Sequence, residues 1–324
     1  MNSFDGDTRP GPNAAVGAPA FSPGDMVAER YKILRLLGTG GTGEVFAARD
    51  TALGVDLALK SLNSAVAGSA VQLERFRREI QSARKVTHAN VCRIFDMGVQ
   101  TRGGQKSFFL TMELLPGQSL ARRLATGDVY ATGEALGVTE QVAAGLDAAH
   151  AAGVVHRDLK PANIMVPLDL ATSQRVVITD FGLALSDEQT DIRLTETDEL
   201  VGTPEYMAPE QGDPGPSTPA TDIYALGLIV FEMLTKRSPF DAGGSALATL
   251  LKRRHHPPRR LRDIIADIDP AWDETVFRCL DLVPARRFET AGEMILALKG
   301  EIPPWPEPTA AGRVRGFVRK LRGR

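Results

Sequence analysis

Residues 222–235, DIYALGLIVFEMLT, constrain this chain more than any other stretch. At helical spacing their side chains are apolar on nearly every side, and such a helix is stable only when other elements enclose it. Its most apolar part, Ala225 to Leu234, contains Glu232 and is too short to cross a bilayer. The run therefore predicts the buried axis of a helical lobe, with Asp222 at its start, where the helix dipole favours a carboxylate. A chain of 324 residues with 43% hydrophobic and 24% charged content is long enough for a core in one or two lobes around it.

The net charge of -2 gives no global attraction to nucleic acid or lipid, so any such attraction has to be local. The two cysteines, Cys92 and Cys279, are far apart and lack C-x-x-C spacing, which argues for reduced core residues rather than a disulfide framework or a zinc site. Residues 1–26 are rich in Pro, Gly, Ala and Ser with almost nothing to bury, and are expected to be a disordered leader. They lack the charged start and apolar block of a signal peptide. A cytoplasmic location is the expectation.

From Tyr31 the texture changes to strand-length apolar runs around Gly38-Thr39-Gly40-Gly41-Thr42-Gly43. A dinucleotide-binding turn shares this G-x-G-x-x-G spacing but leads into a helix, whereas here Val45-Phe46-Ala47 reads as a second strand. The hairpin is either a flap whose amides approach phosphates closely or a plain glycine-rich turn. Ala58 and Lys60 share a strand face. Leu73, Phe76, Ile80 and Ala83 recur at helical spacing, with Glu79 at the edge of that stripe. Glu79 could pair with Lys60, or with a helix neighbour such as Arg75 or Arg78. The run Phe108–Leu115 followed by Pro116-Gly117 reads as a buried strand breaking into a lobe boundary. Thr139, Val142, Leu146 and Ala149 mark a long helix stopped by Gly153, directly before VVHRDLKPANIM. A loop that holds a carboxylate, an ammonium and an amide at fixed spacing suits phosphate chemistry with a metal. Asp180-Phe181-Gly182 then places another carboxylate at a strand end.

Taken in order, GTGGTGEV, LALK, Glu79, HRDLKPAN, DFG and MAPE resemble the signature set of eukaryotic-type (Hanks-type) serine/threonine protein kinases, bacterial branch. The likeness covers about residues 31–300. It implies an α+β bilobal protein kinase fold over 27–300: a β-rich N-lobe with helix C (27–115) and a mainly helical C-lobe (116–300). It implies ATP and Mg²⁺, with Mn²⁺ as a substitute metal. Leu37, Val45, Ala58, Met112, Leu115 and Met165 would line the adenine site, with Glu113 and Leu115 offering backbone hydrogen bonds and Gly38, Gly40 and Gly43 covering the phosphates. Lys60, held by Glu79, would bond the α and β phosphates, and Lys160 the γ. Asn163 and Asp180 would hold the metal, and Asp158 would accept the hydroxyl proton. A pseudokinase typically lacks at least one of Lys60, Glu79, Asp158, Asn163 and Asp180, and all are here. The GTPEYMAPE segment resembles a peptide platform, which favours protein substrates over a small-molecule acceptor.

The same resemblance makes Thr195 and Thr197 the expected regulatory phosphosites, read by Arg157, with a transient homodimer for autophosphorylation. Thr203 resembles a structural threonine near the substrate. Glu210 would pair with Arg287, although Val283-Pro284 replaces the family's Asp-Pro there. His88-Ala89-Asn90 lacks a proline often found at that point. The basic run KRRHHPPRRLR, Lys252–Arg262, reads as a solvated face or a docking site for acidic partners. Residues 301–324 form a Pro-rich linker and a basic tail, in which Val314, Phe317, Val318 and Leu321 fall at helical spacing among arginines. That tail is either a disordered solubiliser or a reversible dock for anionic lipid or an acidic partner. The lipid version would make the chain peripheral at the inner membrane face. Binding to nucleic acid is not expected.

Overall fold

Successive side chains of a strand point to opposite faces, and along Val55–Leu62 this places Leu57 and Leu59 on one face of a sheet and Ala58, Lys60 and Leu62 on the other. In the computed structural model, which describes residues 19–40, 43–62, 70–102, 105–169, 175–181, 204–213, 215–240 and 252–305, that segment is β4. It follows β1 (Met26–Val27), β2 (Tyr31–Gly40) and β3 (Gly43–Asp50), and precedes α1 (Ala70–Ala83), β5 (Ile94–Arg102) and β6 (Gln105–Met112). The antiparallel sheet runs β1-β2-β3-β4-β6-β5. Leu57 and Leu59 pack with Ile33, Phe46 and Phe109, while Phe76 and Ile80 of α1 cover Leu62 and Leu110 on the other face. Packing begins before residue 27: Phe21 is buried and meets the Phe46 ring edge-on at 5.7 Å. The expected leader is therefore shortened at its end, since an aromatic ring there has a core to enter; residues 1–18 lie outside the described part.

A second lobe follows, with β7 (Gln118–Ser119), α2 (Leu120–Thr126), α3 (Thr132–Ala151), β8 (Ile164–Val166), β9 (Val177–Ile178), α4 (Pro219–Thr235), α5 (Pro270–Cys279) and α6 (Ala291–Leu298). Gly117 joins the lobes at φ +99°, and a Cβ there would sit 2.2 Å from Val166 O, so this link requires glycine. In α4 every residue except Pro219, Ala220 and Glu232 is buried, as an apolar surface on all sides demands. Helices α3 and α5 pack against it, and α6 rests on α3 and α5. The C-terminal boundary also extends past residue 300: Trp305 Nε1 donates to Glu274 Oε2 at 3.0 Å, and Arg278 donates to Pro304 O at 2.8 Å.

Helices α4 and α5 approach closely at Gly227, where a Cβ would lie 2.6 Å from the Cβ of Cys279. Alanine in a helix ordinarily gains about 1 kcal/mol over glycine. Here the overlap with a rigid Cβ dominates, and Gly227→Ala is expected to cost about 1–3 kcal/mol, measured as a lower urea midpoint. A midpoint at or above wild type would show that the two helices can separate freely.

Candidate active site

The loop after α3 is fastened to the buried helix through one carboxylate. Asp222 accepts hydrogen bonds from the N–H groups of His156 (2.8 Å) and Arg157 (2.9 Å), and its Oδ2 lies 2.7 Å from His150 Nε2. Arg157 consequently sits at φ +68°. Asp158 N–H donates to His156 Nδ1 at 3.3 Å, so the ring's hydrogen is on Nε2, which donates to Thr179 O at 2.9 Å. The same ring stacks, tilted, at 4.7 Å from Phe181. Asp158 Oδ2 takes Lys160 Nζ at 2.8 Å and, more weakly, Asn163 Nδ2 at 3.3 Å; Asn163 Nδ2 also donates to Asp158 O at 2.8 Å. His156, Asp158, Lys160 and Asn163 thus form one hydrogen-bonded unit, anchored from behind.

Lys60 is only 2% exposed, which requires a partner for its charge. Its Nζ meets Asp180 Oδ1 at 2.8 Å, and Asp180 is held at φ +62°. The expected Lys60–Glu79 pair is replaced: Glu79 Oε1 lies 3.7 Å from Arg157 Nη1. Arg78 turns to Glu74 at 3.6 Å instead. The carboxylate that a strand lysine takes is set by where α1 and the strand-end acid sit, and spacing along the chain carries no such information.

Between the lobes, Ala58, Cys92, Met112 and Val177 are buried with Val45, Leu114, Leu115 and Met165 packed against them. Met112 is the cross-strand partner of Ala58. This slot presents apolar surface to a flat ring, beside a hinge whose Glu113 carboxylate is held by Arg175. Burial pushes the Cys92 thiol up to about 12, so it remains a protonated, inert wall. Above the slot, Leu37 is partly exposed on β2 and Gly38 and Gly40 pair with Val45 and Gly43. Gly43 has φ +143°, and a Cβ would fall 1.7 Å from Ser61 O; only glycine fits.

Oxygen donors fit a hard divalent cation. Asp180 presents Oδ2 beside its lysine-bound Oδ1, and Asn163 presents its amide oxygen because its nitrogen is spent on Asp158. Among the described residues no group of three His, Cys, Asp or Glu side chains could hold a metal. Two protein oxygens suit an ion that completes its shell with phosphate and water.

Several connections were not legible beforehand. Asn90 Nδ2 donates to Val176 O at 2.7 Å and Gln141 Oε1 at 2.9 Å, tying the segment after α1 to α3 and β9. Gln211 Nε2 donates to Arg157 O at 2.8 Å. The basic run is divided: His255, His256, Arg259 and Arg262 are exposed, whereas Arg253 is buried on backbone carbonyls, and Arg260 and Arg262 pair with Asp273 and Glu274. A stretch of arginines cannot reveal in sequence which acceptors lie opposite. A cavity of about 340 Å³ opens beside Lys160, between Leu124, Glu205, Tyr206 and Glu232. Tyr206 donates to Glu232 there, and burial raises the Glu232 carboxyl above the usual range. Thr195, Thr197 and Thr203, like the tail from residue 306, lie outside the described residues.

Residues 31–295 match the model of the protein kinase domain. The chain belongs to the protein kinase domain family. The kinase is 34% identical over 273 residues to a probable serine/threonine-protein kinase PknB of Corynebacterium glutamicum, covering 83% of this chain and 42% of that one. It is 33% identical over 276 residues to the serine/threonine-protein kinase PrkC of Bacillus subtilis, covering 85% and 41%, and 34% identical over 291 residues to PknA of Mycobacterium tuberculosis, covering 88% and 65%. This kinase thus spans less than half the length of the first two. The crystal structure of the M. tuberculosis PknI kinase domain superposes with a TM-score of 0.68 at 26% identity, over 87% of this chain and all of that one. These relatives bear out the bacterial serine/threonine kinase resemblance and the bilobal α+β fold. No described helix of this kinase is long and apolar enough to cross a membrane.

Proposed function

We propose that this kinase transfers the γ-phosphate of ATP to serine and threonine hydroxyls of proteins. The observation that carries the reading is the convergence of the Lys60–Asp180 pair and the Asp158–Lys160–Asn163 unit at the mouth of an apolar slot. Adenine enters the slot, and Lys60 binds the α and β phosphates. Asp180 and Asn163 would hold a divalent ion, which would supply charge neutralisation to the transferring phosphate. Asp158, whose Oδ2 is occupied by Lys160 and Asn163, uses Oδ1 to orient the acceptor hydroxyl and take its proton. The new O–P bond forms as the bond between the γ-phosphorus and the β–γ bridging oxygen breaks, while Lys160 moves with the γ-phosphoryl. The transition state is loose, so the proton leaves late and an ordinary carboxylate suffices as base. Most of the acceleration then comes from positioning and charge neutralisation. Labelled ATP with Mg²⁺ should label the chain or an acceptor protein on Ser and Thr by mass spectrometry; label confined to Tyr, or none, would overturn the reading.

The reading includes control through the segment after Asp180. Arg157 Nη1 lies 3.7 Å from Glu79 Oε1, so a phosphate on Thr195 or Thr197 that pairs with Arg157 has to compete with Glu79. Thr195→Ala plus Thr197→Ala is expected to remove the rise in specific activity that follows preincubation with ATP. Equal activation of the double variant and wild type would exclude both threonines.

A further inference from the structure

The chemistry proposed above makes no use of the basic stretch at Lys252–Arg262, yet its first two arginines bind backbone beside the catalytic loop. Residues 252–255 are helical. Arg253, only 3% exposed, donates to Met207 O at 2.7 Å and to Glu205 O, with Phe240 at 5.7 Å from its guanidinium carbon. Arg254 donates to Pro209 O at 3.0 Å and to Asp213 Oδ1 at 2.6 Å. Four acceptors within 205–213 are thereby held by two neighbouring side chains.

That same stretch forms a wall of the cavity beside Lys160, through Glu205 and Tyr206. Lys160, which lines the cavity, has its Nζ 2.8 Å from Asp158, so the cavity and the group proposed to receive a hydroxyl share one neighbour. Gln211 joins the wall to the loop itself, at Arg157 O. Burying a guanidinium is costly, and burial lowers the tendency of Arg253 to stay charged. An apolar side chain would fill the space without that cost. What the planar fork adds is a fixed separation and orientation of the carbonyls it bridges.

We propose that Arg253 and Arg254 are positioning residues for the protein substrate, holding the 205–213 wall in the shape against which the acceptor segment lies beside Asp158. The proposal rests on the protein-kinase reading and adds to it a determinant of acceptor binding.

The test uses the full chain, a generic basic acceptor protein, and the variants Arg254→Gln and Arg253→Lys. Three quantities are compared with wild type: KM for the acceptor, KM for ATP, and ATP hydrolysis without acceptor. Arg254→Gln, at a partly exposed position, is expected to raise the acceptor KM about tenfold, as loss of bonds from a charged donor implies. KM for ATP and acceptor-free hydrolysis should stay within about twofold, since uniform binding of the nucleotide is untouched. Arg253→Lys, which keeps the charge but not the fork, should likewise raise the acceptor KM. An acceptor KM equal to wild type in both variants overturns the proposal. So does a rise in acceptor KM accompanied by an equally large loss of acceptor-free hydrolysis and a lowered melting temperature, which marks a purely structural role. If wild type hydrolyses ATP but labels no protein, the protein-kinase reading itself has failed; if wild type labels protein and the variants match it, only the positioning role has.

Discussion

Asp158→Asn is expected to lower kcat for phosphoryl transfer by roughly 10²–10⁴-fold, the range for removing a positioned general base. KM for ATP should hardly move, because the nucleotide slot is built by Ala58, Met112, Leu115 and Met165 on other elements. An amide oxygen can still accept from Lys160 and leaves the loop's backbone bonds to Asp222 in place. Folding should therefore survive: the Asp158 side chain is 38% exposed, and such sites usually change stability by no more than about 0.5 kcal/mol. The check is initial rate against acceptor concentration at saturating ATP, alongside a thermal melt. Retention of more than about a tenth of the wild-type kcat would remove Asp158 from the role of base.

The largest effect on stability is expected at Arg287. Its side chain is wholly buried and donates through Nη1 and Nη2 to both Glu210 oxygens, at 2.7 and 2.8 Å. It also donates to Ala220 O at 2.9 Å and Asp281 O at 2.9 Å, with its guanidinium carbon 4.7 Å from the Tyr224 ring. Arg287→Met leaves two buried carbonyls without their donor and the Glu210 carboxylate, 22% exposed, with only the Thr221 hydroxyl at 3.1 Å. Removing one partner of a buried pair costs about 3–5 kcal/mol, and the partial exposure of Glu210 puts this loss at the low end. Arg287→Lys should rescue little, since an ammonium cannot match the two-oxygen fork. Adding Glu210→Gln to Arg287→Met should recover part of the loss, because the stranded charge is gone. Urea unfolding of the four proteins checks this; a wild-type midpoint for Arg287→Met would show that the pair is not what holds this corner.

Much of the framework could be read from residue order. The α4 axis and the placement of Lys60 beside Ala58 follow from residue type at fixed spacing, because neighbours on one strand or one helix turn keep their geometry, whereas the Glu210–Arg287 pair was implied only by the protein-kinase resemblance. What escaped were pairings between elements whose relative placement is set by tertiary packing. Lys60 takes Asp180 rather than Glu79, and Glu79 takes Arg157, because the position of α1 decides these. The arginines of 252–262 read as surface charge, since only the fold brings the 205–213 carbonyls and the Asp273–Glu274 pair opposite them. Phe21 and Trp305 stood in Pro-rich stretches, and the packing of Phe21 on Phe46 at one end and the contacts of Trp305 with Glu274 and Arg278 at the other extend the domain at both ends.

The bonds from His156 and Arg157 to Asp222 also bear on the order of events during synthesis. The loop needs an acceptor that lies 66 residues further along the chain than His156. At about 5–20 residues per second, a ribosome adds those residues over roughly 3–13 s. During that interval the β-sheet lobe, whose strands pair locally, can already close, while the loop's N–H groups have only water to bind. The loop can thus take its folded shape only once α4 has emerged and been enclosed, so the geometry proposed for phosphoryl transfer arrives together with the core rather than ahead of it.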